Sequence, residues 1–506
     1  MNFILKRTFV LLIVLSFAVS SFAQFRLSGK IINYTGKEEL NINIPVISGF
    51  YKENSIHIPI TKKGAFSIDI PIKGQKFANL IFQKKFYTLL LNPNKNLVLS
   101  LNESDQTLKI LYGTALAENT VMQTVDLEQY PFFMDSDGSN KLAKLPLKEL
   151  QKQVVLPYFT QRDEKIKKVQ SATLAVKDKQ AIIAELKYIS YNYLNDFIRT
   201  QALDRTIMDS LIFEIFDNVD PKPETFPAGP QYYGFVRNYL SYLETKAFKQ
   251  IKKENIKPNE PIPYFGISLD SANHIVKNYG KPYWRWIGSN KNFPTNVVEQ
   301  YNYHQLIGLF IDKDLRQFEG LANAYKAKFP NGIYINDINT KLSSLQKMLL
   351  QNETNTQIKI VDGYEKMNSI YELIKTLKGK VVYLDVWGTW CGPCKEELTY
   401  LPSLKAKFKD KEVVFVYLDM DENDMDSSWR QFIKVNNLTG IHLRKNRQAI
   451  APFWAELLAN TADKAEYYPQ YFIFDKEGKL VVAKAKRPSQ KEELYTQLNN
   501  VLNKNQ

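Results

Sequence analysis

Two cysteines occur in 506 residues, Cys391 and Cys394, and they stand three positions apart. This spacing limits what the surrounding chain can fold into. A domain stapled by structural disulfides needs more cysteines at wider intervals, so the pair is either chemical or metal-binding. Residues 381–386 (VVYLDV) read by composition as a buried strand, and 395–408 read as a helix. The two cysteines therefore lie where a strand hands the chain to a helix.

A cysteine at a helix start meets unpaired N–H groups and the positive end of the helix dipole, which favour a thiolate. Thiols in such positions fall from a pKa of about 8.5 to roughly 7 or lower. The thiolate is the attacking species in disulfide exchange, so Cys391 is the expected nucleophile. Cys394, one turn further on, is expected to be shielded and to resolve the mixed disulfide. Gly392 permits a tight turn, and Pro393 suits a first helical turn, where its missing N–H is not needed. Trp390 is read as a wall of the site, whereas Trp387 fits a wall or ordinary core equally well. Asp385 precedes Cys391 by six residues. It is either a proton acceptor for Cys394 or a strand-end carboxylate satisfied by backbone N–H groups. Tyr468-Pro469 precedes a second apolar strand at 471–474. A proline there adopts the cis form in roughly one in twenty X–Pro bonds. A cis proline beside the dithiol would expose backbone to an incoming extended peptide.

Beyond the motif, 413–418 reads as another buried strand, and Ser427 as the cap of a helix reaching Val435. Strands at 471–474 and 480–483 flank the Asp475-Lys476-Glu477-Gly478 turn, and 491–502 is an amphipathic helix. This order of strands and helices is that of a thioredoxin-like layer fold. Earlier in the chain, Phe66, Ile68 and Ile70 and then Leu97, Leu99 and Leu101 alternate with their neighbours, separated by turn signals at Lys63-Gly64 and Asn92-Pro93-Asn94. A small antiparallel sheet or sandwich is expected over 24–105. Ile182, Leu186, Ile189, Tyr193 and Phe197 make one helical stripe, and 233–248 and 335–350 carry similar patterns, so 106–350 is expected to be mainly helical. Its many Tyr and Phe residues are read as helix core and tyrosine-rich surface rather than a binding groove. Residues 351–357 (QNETNTQ) read as a linker. The expected chain is thus multidomain: all-β 24–105, helical 106–350 and α/β 358–506.

The segment WGTWCGPC, the later Tyr468-Pro469 and the run FIFDKEGKLVV resemble the TlpA/ResA-like thioredoxins, exported or membrane-anchored thiol–disulfide oxidoreductases of bacteria. The arrangement as a whole resembles multidomain members from Bacteroidetes that carry a small β domain, called DUF4369, ahead of a helical segment. The resemblance implies Cys391 and Cys394 as the redox pair, Asp385 as the buried acid and base, and Pro469 as the cis proline. Tyr468, Trp390, Gly392 and Pro393 then line the substrate site. Lys395 and Glu397 match the helix after the motif, and 436–467 resembles the insertion this group carries. Thr399 departs from the pattern, because many relatives have a helix-kinking proline there, with Pro402 one turn later. Tyr468 is bulkier than the usual residue before the proline.

The first 23 residues read as an export signal. Lys6 and Arg7 precede an apolar run, and Ser21-Phe22-Ala23 is a small-x-small cleavage site. A periplasmic location follows, with membrane contact only if the signal stays uncleaved. The net charge of +14 is spread among 53 acidic residues rather than gathered into a nucleic-acid stripe, so no nucleic-acid partner is expected. No metal is expected either: zinc needs four Cys or His ligands, and His57, His274, His304 and His442 are scattered. Leu384 and Gly388 stand where a peroxidase pattern wants Pro and Thr or Ser. No cofactor is expected beyond the Cys391–Cys394 disulfide. Gly-Pro between the cysteines is the dipeptide of reducing thioredoxins, with potentials near about −270 mV, against about −120 mV for strong oxidants. The expected function is reduction of protein disulfides, with a membrane electron donor. An oxidase or isomerase, and an envelope binding protein whose N-terminal region carries the main role, are the alternatives.

Overall fold

The computed structural model describes residues 23–135, 141–201 and 203–503. The expected export signal, but for Ala23, lies outside the described residues. Among the described residues, no helix is long and apolar enough to cross a membrane. The chain divides into two compact units. The first is residues 1–257 with 262–266 and 291–294, and the second is 258–261, 267–290 and 295–506.

The first unit begins with eight strands: β1 (Gln24–Ile32), β2 (Leu40–Asn43), β3 (Ser55–Ile58), β4 (Ala65–Pro71), β5 (Lys76–Phe82), β6 (Lys85–Leu91), β7 (Asn96–Asn102) and β8 (Leu108–Tyr112). They form two four-stranded sheets, ordered β4-β1-β7-β8 and β3-β2-β5-β6. Leu27 and Leu99 from one sheet and Ile42 and Leu80 from the other share a single core, as in a sandwich. Leu97, Leu99 and Leu101 all point inward, as their alternation requires. The expectation of an antiparallel sheet needs one correction, because β1 pairs with β7 in parallel. The chain alternates between the two sheets, so β7 returns to the side of β1 in the same direction. Gly29 marks that pairing: a Cβ there would lie 2.0 Å from the Leu99 carbonyl oxygen, and only glycine fits.

Five longer helices follow: α1 (Leu116–Val125), α2 (Leu156–Ser171), α3 (Val176–Thr200), α4 (Arg205–Phe216) and α5 (Pro230–Glu254). Ile182, Leu186 and Phe197 of the α3 stripe are buried. The aromatic residues divide between core and surface, Tyr130 and Phe248 being exposed. Tyr232 and Tyr242 are buried, and their hydroxyls donate to the Pro221 carbonyl at 2.8 Å and to Asp217 Oδ1 at 2.6 Å.

The second unit opens with α6 (Leu269–Asn292), α7 (Thr295–Ile311), α8 (Leu315–Lys328) and α9 (Ile335–Asn352). Helix α6 is broken at Gly280, whose φ is +77°, two residues before Pro282. Proline removes an N–H and clashes with the carbonyl four residues back, so the helix cannot pass it unbroken.

The rest of the unit is a six-stranded mixed sheet ordered β14-β13-β10-β11-β12-β9. Its strands are β9 (Ile358–Ile360), β10 (Val381–Trp387), β11 (Val413–Asp419), β12 (Gly440–Arg444), β13 (Gln470–Phe474) and β14 (Leu480–Ala483). Strands β9 to β12 run parallel, whereas β13 and β14 are antiparallel. All seven residues of β10 are buried, as a central strand covered on both faces demands. The helices are α10 (Ile370–Ile374), α11 (Gly392–Leu398), α12 (Leu401–Lys407), α13 (Asp426–Val435), α14 (Ala451–Leu457) and α15 (Glu492–Asn503).

Three local expectations are corrected. The single helix expected over 395–408 is two, α11 and α12, because Pro402 excludes the Leu398 carbonyl from a continuous helix. Ser427 does not cap α13; a short 3₁₀ turn at Asn423–Met425 leads into it, and Ser427 lies in its first turn. The stretch 436–467 is not only an insertion, since it supplies strand β12 and helix α14.

Candidate functional site

Strand β10 delivers the chain to the loop Gly388–Trp390, and Cys391 takes the N-cap position of α11 with extended backbone. The loop is fixed by Asp421, just past the end of β11. The Asp421 carboxylate accepts from the Thr389 N–H at 3.1 Å and from the Thr389 hydroxyl. Asp421 is held in turn, since its own N–H donates to Asp419 Oδ1 at 2.9 Å and its carbonyl accepts from Arg444 at 3.0 Å. Burial pushes the Asp421 carboxyl above its ordinary pKa, and the hydrogen bonds from Thr389 oppose that rise.

Cys391 and Cys394 are joined as a disulfide, with Cα atoms 5.2 Å apart. The Cys394 N–H points at Cys391 Sγ, 3.2 Å away, so a helix-start N–H faces the first sulfur. Both residues are buried, Cys391 at 4% exposure and Cys394 at 2%, so the two sulfurs differ little in shielding in this disulfide form. Gly392 and Pro393 are exposed beside them.

Trp390 is 56% exposed, and its ring meets the Tyr468 ring edge-on at 5.6 Å. The Tyr468 hydroxyl accepts from Trp454 Nε1 at 3.2 Å. The Tyr468–Pro469 peptide is cis. Gln470 pairs with Val386 in the β13–β10 ladder, which sets Pro469 at the dithiol end of the sheet. Trp387 belongs to the core, fully buried against Phe432 at 5.7 Å between ring centroids.

Asp385, Glu397, Lys405 and His442 form a buried set of ionisable groups. Asp385 is almost fully buried, and its Oδ1 has no hydrogen-bond partner among the described residues. Burial pushes its pKa well up, the Glu397 carboxylate adds to the rise, and Lys405 works against it. Glu397 is also buried. Its two oxygens accept from the Ser489 N–H at 2.9 Å and the Ser489 hydroxyl at 2.8 Å. Burial lowers the Lys405 ammonium to about 8, against the pull of Asp385. His442 is buried too. It stacks on Tyr417 at 4.7 Å, holds the Leu438 carbonyl at 2.6 Å through Nε2, and is kept neutral by burial, with a pKa of about 3.

The fold thus gathers Cys391, Cys394, Trp390, Gly392, Pro393, Tyr468 and Pro469 at one end of the sheet, with Asp385 in the strand beneath. The sequence reading missed Asp421, Ser489 and Lys405. Asp421 had a usable signal: the pair Asp419 and Asp421 ends an otherwise apolar strand. Ser489 had none, because its contact with Glu397 spans 92 positions.

Residues 357–502 match the Redoxin family model. The chain belongs to the thioredoxin-like thiol–disulfide oxidoreductases. It is similar to the thiol-disulfide oxidoreductase ResA of Bacillus thuringiensis subsp. konkukian, 33% identical over 129 residues, which are 25% of this chain and 67% of that protein. It is also similar to Thioredoxin-1 of Drosophila melanogaster, 35% identical over 83 residues, 16% of this chain and 74% of that one. Against ResA of Bacillus anthracis the match is 35% over 109 residues and spans 21% of this chain and only 56% of the relative. The crystal structure of the thioredoxin domain of a thiol-disulfide oxidoreductase from Bacteroides vulgatus aligns at 24% identity and a TM-score of 0.21, covering 26% of this chain and 84% of that one.

Proposed function

We propose that the chain reduces protein disulfides through Cys391 and Cys394. The Cys391 thiolate attacks one sulfur of a substrate disulfide, forming a mixed disulfide and releasing the other substrate sulfur as a thiolate. Cys394 gives up its proton, attacks Cys391 Sγ and releases the second substrate thiol. Two electrons pass to the substrate, and the Cys391–Cys394 disulfide remains. The observation that carries this reading is the Cys391 sulfur at the N-cap of α11, facing the Cys394 N–H.

Asp385 takes the proton from Cys394 in this scheme. Its burial raises the affinity of the carboxylate for that proton. Tyr468 and Pro469 present backbone to an extended substrate, with Trp390, Gly392 and Pro393 beside it. Residues 358–506 carry the chemistry. The protein works in the periplasm after export, and a dithiol donor at the membrane returns it to the reduced state.

Two measurements on the full chain test this. Cys394→Ser is expected to accumulate mixed disulfides at Cys391, and Cys391→Ser none; equal trapping by both variants removes the role assignment. The equilibrium potential against glutathione is expected at about −250 mV or lower, whereas a value near about −150 mV marks an oxidase or isomerase and overturns the direction.

A further inference from the structure

Beside the dithiol lies a groove of about 820 Å³. One wall belongs to the redoxin region and includes Trp390, Gly392, Met420, Met425, Ile450 and Tyr468. The other wall comes from residues outside the family match: Val276, Lys281 and Pro282 of α6, Leu309 of α7, and Arg316 and Gln317 of α8. A thioredoxin-like domain alone would leave this side open to solvent.

The second wall is tied down at the active-site helix itself. Lys395, the residue after Cys394, places Nζ 3.5 Å from Asp312 and 3.4 Å from Asp314. The Lys395 side chain is only 11% exposed and that of Asp314 10%, so water screens this pair little. Asp314 also caps α8, accepting from the Gln317 N–H at 3.1 Å. At the other end Lys277 of α6 pairs with Asp424. The wall is therefore held in register with the dithiol.

We propose that this groove seats an extended, cysteine-bearing polypeptide segment with apolar side chains flanking its cysteine, and that the α6–α8 wall selects it. The proposal rests on the redox reading of Cys391 and Cys394. The volume lies within the range of about 300–1,000 Å³ that encloses a ligand of modest size, which suits a short stretch of chain and not a folded domain. The groove leaves large apolar groups in water, Val276 at 44% exposure and Trp390 at 56%, and such groups mark contact surfaces. Met420 and Met425 are flexible and polarisable, and they adapt to differing apolar partners. Exposed charges of both signs, Lys281 and Arg447 against Glu422 and Glu466, select no single net charge. A segment lying there also passes the cis Tyr468–Pro469 backbone. The substrates are thus unfolded or partly folded polypeptides, in which apolar side chains next to a cysteine are not yet buried.

The test uses the reduced full chain and two probes. One is hydroxyethyl disulfide, too small to reach α6. The other is a short unstructured peptide with a central cysteine between leucines, disulfide-linked to cysteamine. Val276→Asp and Val276→Lys both remove the exposed apolar group of the α6 wall, so loss of one variant to misfolding leaves the other. Each is expected to slow reaction with the peptide about tenfold, the loss of roughly one apolar contact, and to leave the rate with hydroxyethyl disulfide unchanged. An unchanged peptide rate overturns the assignment of the wall. An equal fall with both probes places the effect on the dithiol and overturns it too. Failure of the redox reading looks different: the wild-type chain reacts with neither probe, or Cys391→Ser reacts like the wild type.

Discussion

Two buried carboxyl groups, Glu185 in helix α3 of the first unit and Asp385 in strand β10 of the second, are held in opposite ways. Glu185 is buried in α3, and both of its oxygens face the Gln231 N–H, at 3.2 and 3.3 Å. Burial pushes it up to about 8, with that hydrogen bond opposing the rise. Asp385 is buried equally deeply and also pushed up, yet its Oδ1 has no hydrogen-bond partner among the described residues. An acid whose oxygens are occupied is part of the packing. An idle oxygen is what the proposed transfer of the Cys394 proton requires. Burial alone does not separate the two; the hydrogen-bond inventory does.

The largest expected effect lies with Glu185. Its folded-state pKa is above the ordinary carboxyl value near 4.5, so the folded chain binds this proton more tightly than the unfolded chain. The contribution is fully present below that value and is lost as pH rises towards about 8, at up to about 1.4 kcal/mol per pH unit. Denaturant unfolding of wild type and Glu185→Gln across this window should show the difference between them changing with that sign, while disulfide reduction is untouched. A change in turnover would break the comparison by making Glu185 functional. Next in size, Asp385→Asn should slow resolution of the mixed disulfide about a hundredfold, some 2.7 kcal/mol, and spare the initial attack. Rapid-quench trapping separates the two steps, and a wild-type resolution rate would make Asp385 as structural as Glu185. The smallest effect sharpens the picture around Glu397. Ser489→Ala removes one hydrogen bond to that buried carboxylate and should cost about 1 kcal/mol of stability, read from the unfolding midpoint.

What the sequence made legible follows from how local each signal is. Strand β10 was visible because a strand covered on both faces is nearly all apolar. The alternation of Leu97, Leu99 and Leu101 and the stripe of α3 were visible for the same reason, since burial stamps a period on neighbouring residues. Strand β12 was hidden because two of its five residues, His442 and Arg444, are polar and still buried, each held in part by the chain: His442 Nε2 by the Leu438 carbonyl and Arg444 by the Asp421 carbonyl, distant in sequence. The break between α11 and α12 was written in Pro402, inside the span read as one helix. The parallel β1–β7 pair, the Thr389–Asp421 clasp and the α6–α8 wall depend on contacts between remote segments, which no local pattern encodes. The dithiol end of the site was therefore readable, and the wall facing it was not.

Strand β1 lies inside its sheet, between β4 and β7. A chain that emerges N-terminus first, from a ribosome or an export channel, therefore delivers a central strand before either of its neighbours. Phe25, Leu27 and Ile31 and both unpaired edges of β1 stay open until 65–71 and then 96–102 have followed. Exposed edges of this kind recruit other chains. Synthesis halted between these points leaves a sticky, unfinished sandwich. The sandwich cannot close until β7 has followed β1, well before the redox domain exists.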